Sequence, residues 1–72
     1  MLDQRSKHIL KCIVDCYLET GEPVSSRTIS KMITLSPATI RNIMANLEDD
    51  GLLFSSHSSA GRTPTTKGVN MF

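Results

Sequence analysis

A chain of 72 residues with a formal net charge of +1 has room for one small hydrophobic core, and its summed charge gives no reason by itself to seek a polyanionic partner. Tryptophan is absent and aromatic residues make up 4%, so the interior must be built from Ile, Leu, Val and Met. No apolar run approaches the roughly 20 residues that cross a bilayer, and Met1-Leu2-Asp3-Gln4-Arg5 lacks the basic-then-apolar order of a signal peptide. The expected compartment is therefore the cytoplasm, where thiols stay reduced.

Asp3 stands where a helix cap is needed, and Ile9, Leu10, Ile13, Val14, Cys16 and Tyr17 then recur mostly on one side of a helix running to about Glu19. Thr20-Gly21 supplies its stop. Cys12 and Cys16 are spaced four apart with His8 four earlier, a strip that invites a metal-site reading. A closed structural site needs a fourth ligand, however, and His57 is distant in sequence. Free Cys on a helix flank serves as a small hydrophobe, and no metal or cofactor is expected. Glu22-Pro23-Val24 reads as an extended connector in which Val24 can pair as one or two residues of strand. Ser25 or Ser26 then caps a second helix, whose Ile29, Met32 and Ile33 sit at helical spacing before Thr34-Leu35 turns the chain.

The best-marked stretch follows. Ser36 can cap, Pro37 fits the first helical position where a missing donor costs nothing, and Gly51 permits a left-handed stop. Ile40, Ile43, Met44 and Leu47 form one apolar stripe between these signals. At about 100° per residue the opposite face holds Ala38, Arg41, Asn42, Ala45, Asn46 and Asp49, with Thr39 on its flank. Two alanines let the backbone come close to a surface, while Arg and Asn carry the planar donor sets that match guanine and adenine edges. A DNA major groove fits such a face, and so does ordinary solvent.

After Gly51 the period changes. Leu52-Leu53-Phe54-Ser55-Ser56 reads as a short strand and His57-Ser58-Ser59-Ala60-Gly61 as a loop of turn-forming residues. Arg62-Thr63-Pro64-Thr65 returns as a second strand, confined to an edge by its proline. Two short helices joined by a tight turn and followed by a hairpin make a winged helix-turn-helix, mainly α with a small β-hairpin. In that arrangement Ala38, Thr39, Arg41, Asn42, Ala45 and Asn46 face the groove, and Ser26, Arg27, Thr28, Lys31 and Ser36 position the domain on phosphates. His57, Ser58, Ser59, Gly61, Arg62 and Lys67 belong to the wing. There Gly61 lets the tip turn toward DNA, and Arg62 is presented to a phosphate or a minor groove. Thr65-Thr66-Lys67-Gly68 looks like the start of a further helix with little room before Met71-Phe72. Residues 1–72 are therefore expected to form a single domain, the N-terminal part of a longer protein.

The distribution of charge says more than its sum. Acidic residues fall in the first segment (Asp3, Asp15, Glu19, Glu22) or at the far end of the central helix (Glu48, Asp49, Asp50). Arg27, Lys31 and Arg41 lie between these clusters, and Arg62 and Lys67 lie beyond them, so the two stretches folded side by side would make a basic face. Catalysis finds no support: His57 has no carboxylate nearby in sequence to orient it, and there is no glycine-rich phosphate loop. A winged-helix module that binds protein rather than DNA is the alternative, but it calls for an apolar exposed face where this one is polar and small.

Gly21-Glu22-Pro23-Val24, Ser26-Arg27-Thr28, Leu35-Ser36-Pro37-Ala38-Thr39-Ile40-Arg41-Asn42, Leu47-Glu48 and His57-Ser58-Ser59-Ala60-Gly61-Arg62-Thr63-Pro64-Thr65 closely resemble, in order and spacing, the N-terminal domain of the HrcA family of heat-inducible transcription repressors. The resemblance covers nearly the whole chain. It departs at Ser25, where the family usually has Gly, and in a shorter segment between Arg27 and Ser36. What it implies is a bacterial repressor of chaperone operons that binds double-stranded DNA carrying an inverted repeat. It further implies a homodimer in the full-length family, although this fragment could be monomeric, and relief through the chaperonin by regions beyond these residues.

Overall fold

Every helix begins at a side chain that accepts a hydrogen bond from an early backbone N–H. The computed structural model describes residues 2–55 and 61–71. Asp3 accepts from the Ser6 N–H at 2.7 Å and opens α1 (Gln4–Thr20), which closes on Gly21 in the left-handed region. Ser25 accepts from the Thr28 N–H at 3.1 Å and opens α2 (Ser26–Ser30). Ser36 does the same for α3 (Pro37–Asp49), with Pro37 in its first turn. Strands β1 (Leu53–Ser55) and β2 (Arg62–Pro64) follow, and Thr65 then caps α4 (Thr66–Val69). Caps of this kind stabilise by about 1 kcal/mol each, a sizeable share for a domain this small.

The end of α3 shows why Gly51 is where it is. The Leu52 N–H reaches back to the Leu47 carbonyl at 2.9 Å and the Gly51 N–H to the Glu48 carbonyl at 3.0 Å, with Gly51 at φ 78°. This paired closure satisfies carbonyls the helix would leave open and brings Leu52 against Leu47, both buried. Leu52 is thus part of the helix stop, and the strand starts one residue later than the sequence pattern suggests.

The strands run antiparallel with Leu53 opposite Pro64, Phe54 opposite Thr63 and Ser55 opposite Arg62. Val24 pairs with Arg62 as a single bridge, its N–H and C=O exchanging 2.8 Å bonds with that residue, as the short-strand reading of the connector anticipated. Under this hairpin and between the helices lies one core of Ile9, Leu10, Ile13, Val14, Val24, Ile29, Ile40, Ile43, Met44, Leu47, Leu52 and Leu53. The stripes read from α1 and α3 supply most of it. The architecture is a winged helix-turn-helix, mainly helical with a two-stranded hairpin.

The second helix is shorter than its apolar spacing implied. Lys31 and Met32 donate to the carbonyls three residues back, at Thr28 and Ile29, and the Ser30 hydroxyl bonds the Arg27 carbonyl at 2.8 Å. This tightening ends the helix at Ser30 and turns Met32 out to 56% exposure. Ile33 and Leu35 still pack against the core. Among the described residues no helix is long and apolar enough to cross a membrane.

Candidate nucleic-acid interface

The helix-turn-helix is built from α2, the turn through Lys31–Leu35, and α3. Burying Ile40, Ile43, Met44 and Leu47 leaves α3 one way to face, so Ala38, Arg41, Asn42, Ala45 and Asn46 are exposed together along its outer side, as the wheel required. Thr39 is half-buried on the flank. The Ser36 hydroxyl accepts from the Thr39 N–H at 3.2 Å and donates to Thr39 Oγ1 at 3.0 Å. Thr39 therefore keeps its own hydroxyl proton for an acceptor outside, such as a phosphate oxygen.

A similar device opens α2. Ser25 Oγ caps Thr28 and lies 3.0 Å from Thr28 Oγ1, so the Thr28 hydroxyl is fixed in place beside the exposed Arg27. Lys31 is exposed at the helix end and Ser26 is half-buried. Among the described residues, Arg27, Lys31 and Arg41 enter neither of the ion pairs present, Lys11–Asp15 and Arg62–Glu48. Acidic side chains on α3 are confined to its last turn and cap, Glu48, Asp49 and Asp50, while Arg41 lies in its N-terminal half. The N-terminal half is thus the end suited to a polyanion, the same end by which helix-turn-helix proteins address base edges.

The hairpin differs from the sequence reading at three positions. Arg62 is expected on a finger that reaches DNA; it holds the last paired position before the loop, opposite Ser55, and its side chain is 23% exposed, with Nε donating to Glu48 Oε1 at 2.9 Å. The cause is the pairing of Ser55 with Arg62, which sets that side chain over the end of α3. Gly61 was expected to let the tip turn; it is buried, and a Cβ there would lie 2.7 Å from Pro23 Cβ, so its smallness serves the packing of the hairpin on the Pro23-Val24 connector. Lys67 was grouped with the wing; it belongs to α4, where its Nζ donates to the Asp50 carbonyl at 3.3 Å and helps close the end of α3. Of the five cations of the expected basic face, Arg27, Lys31 and Arg41 stand exposed on the helix-turn-helix, Arg62 is paired with Glu48, and Lys67 is exposed on α4. His57, Ser58 and Ser59 lie outside the described residues.

Glu48 is the residue that sequence reasoning passed over. It was read as one of three acids at a helix end, whereas its carboxylate accepts from the Ser55 hydroxyl at 2.7 Å as well as from Arg62. The Ser55 bond, followed by the charge and hydrogen bond of Arg62, holds its carboxyl below the usual glutamate value. An acid fourteen residues before a lone arginine was the available signal, but spacing alone does not say that a hairpin folds one onto the other. The thiols of Cys12 and Cys16 are pushed up by burial and by neighbouring negative charge, so they stay protonated at neutral pH. His8 is exposed, and among the described residues no group of three His, Cys, Asp or Glu could hold a metal.

The chain matches, over residues 1–72, the family model described as winged helix-turn-helix transcription repressor, HrcA DNA-binding. It is 55% identical to the heat-inducible transcription repressor HrcA of Sphingopyxis alaskensis, covering 99% of this chain and 21% of that protein. It is 52% identical to the protein of the same name from Xylella fastidiosa over the same shares. A crystal structure at 2.2 Å resolution, described as that of a hypothetical protein, superposes with a TM-score of 0.92 at 44% identity, covering 97% of this chain and 22% of that one. The chain thus spans about a fifth of the length of the relatives it matches.

Proposed function

Since this chain belongs to the HrcA family of winged helix-turn-helix transcription repressors, whose members are not enzymes, we propose that α3 reads base edges of an operator. Arg41 and Asn42 are the readers. Ala38 and Ala45 permit close approach, and Asn46 and Thr39 extend the contact along the groove. Ser26, Arg27, Thr28, Lys31 and Ser36 hold the domain against phosphates on either side, and the wing, with His57, Ser58 and Ser59, meets the backbone or minor groove beyond them. The observation that carries this reading is the exposed, uncharged-to-basic face of α3, with its acids gathered at the far end.

The operator is an inverted repeat, read by a homodimer whose pairing and heat-dependent relief, through the chaperonin, depend on parts of the repressor other than these 72 residues. Relatives named heat-inducible repressors support a role in the control of chaperone genes in the bacterial cytoplasm. The residues act there as one domain of a longer repressor, a reading supported by the share of its relatives that the chain covers.

The test is binding of the chain to an inverted-repeat duplex against a scrambled duplex of equal length, at several salt concentrations. Preference for the repeat that persists as salt rises supports base reading. Equal affinities that fall together with salt would reduce the interaction to charge attraction.

A further inference from the structure

Glu48, in the last turn of α3, grips both strands of the hairpin at once. Its Oε2 accepts from Ser55 on β1 at 2.7 Å and its Oε1 from Arg62 on β2 at 2.9 Å, and those two residues face each other across the ladder. Arg62 in turn bonds the Val24 backbone in both directions at 2.8 Å and reaches the Gly61 carbonyl at 3.3 Å. The side chains of Arg62 and Glu48 are 23% and 33% exposed, against 57% and 60% for the surface pair Lys11–Asp15, so the junction is the better shielded of the two.

We infer that Glu48 is a positioning residue for DNA recognition, fixing the direction of the hairpin relative to α3 so that wing and recognition helix meet one duplex in a set geometry. The inference rests on the DNA-binding reading of α3. Two strands of three residues do not hold an orientation by themselves. The backbone that joins them to α3 turns at Gly51, where bonds from Gly51 and Leu52 back to Glu48 and Leu47 set the exit from the helix but reach no further than Leu52. Packing of Leu52 and Leu53 seats the hairpin on the core, and the carboxylate then ties each strand to the helix that reads the bases. Holding the two elements in their bound relation before binding lowers the ordering cost of the complex.

This role has a signature that a plain structural contact lacks. The Glu48 charge acts alike on every duplex, repelling phosphate if it is felt at all, whereas the geometry it sets matters only on the duplex being read. The probe is a duplex that the wild-type chain selects from a random-sequence pool, measured beside a scrambled duplex of the same composition. Glu48→Ala is expected to weaken binding to the selected duplex roughly five- to tenfold and to leave binding to the scrambled one unchanged or tighter. Arg62→Ala should then cost much less on the selected duplex when Glu48 is already absent than when it is present. Equal loss on both duplexes, or the same cost of Arg62→Ala in both backgrounds, overturns the assignment, because Arg62 would then act on DNA by itself.

Ser55→Ala cuts one tie without altering charge and serves if the Glu48 variant does not fold. A loss on the selected duplex alone supports the inference, and no loss overturns it. A wild-type chain that enriches no sequence from the pool brings down the DNA-binding reading itself. That failure is distinct from a wild type that discriminates while its variants behave identically.

Discussion

The helix-turn-helix and the hairpin treat their long polar side chains in opposite ways. On α2 and α3, Arg27, Lys31, Arg41, Asn42 and Asn46 stand exposed, and among the described residues none of their side chains enters a hydrogen bond or ion pair. At the hairpin and where α3 and α4 meet it, Glu48, Ser55, Arg62, Thr65 and Lys67 are all bonded within the chain. The difference follows from backbone economy. A capped helix satisfies its own N–H and C=O groups, which leaves its outer side chains to a partner, whereas a hairpin with three-residue strands needs side chains to hold it in place. Charge type alone therefore does not mark a DNA contact; what marks it is whether the element carrying the charge needs that side chain for itself.

The comparison breaks most completely when the shared core is opened. Leu47 is fully buried beneath both regions, and Leu47→Ala is expected to cost about 2–5 kcal/mol, comparable with the whole stability of a domain this small. Urea unfolding should show the loss, and binding to any duplex should vanish with it. A variant still folded at the wild-type midpoint would mean that the stripe on α3 is not what anchors it.

Asn42→Ala sharpens the same comparison. With its side chain exposed and bonded to nothing described, its removal should leave the unfolding midpoint in place and weaken binding to a selected duplex by about 1–3 kcal/mol, with little change on a scrambled one. A shifted midpoint with discrimination intact would reverse the assignment of faces. Lys31→Ala should do less and do it evenly: weaker binding to every duplex, and a salt dependence shallower by about 0.9 in log–log slope, the signature of one lost phosphate contact. A loss confined to the selected duplex would move Lys31 from positioning to reading.

The same contrast explains what the sequence could reveal. Helix α3 was legible to within a residue because Ser36, Pro37 and Gly51 act locally and the stripe between them repeats at 3.6. Helix α2 was not, since Met32 and Ile33 extend the apolar spacing past the point where bonds to the third residue back have already tightened the turn. Ser25 could be reckoned a cap, but only the structure decides between it and Ser26. The contacts of two of the cations were hidden for a different reason. Arg62 and Lys67 are cations in composition, yet their partners, the Glu48 carboxylate and the Asp50 carbonyl, lie fourteen and seventeen residues away, where no local rule reaches. The resemblance marked Arg62 and Leu47-Glu48 as separate blocks, and nothing in the blocks says that they touch.

The smallest expected effect tests the hairpin side through pH. The Ser55 hydroxyl and then Arg62 hold the Glu48 carboxyl below its ordinary value of 4.5, so the unfolded chain takes up this proton before the folded one does. The stabilisation is therefore complete above that ordinary value and is lost as pH falls through the lower, folded one. With the side chain a third exposed, salt and water screen the pair, and its worth at neutral pH is about 1 kcal/mol or less. Glu48→Gln should accordingly lower the urea midpoint slightly at pH 7 and converge on the wild type as the pH falls through the lowered, folded value. Asp3, held low by the Ser6 N–H, titrates in the same acid range in both proteins, so the variant keeps part of the acid slope. Midpoints that stay parallel down to pH 3 would show that the hairpin does not depend on the Glu48 charge, leaving hydrogen bonding to Ser55 as what joins it to the recognition helix.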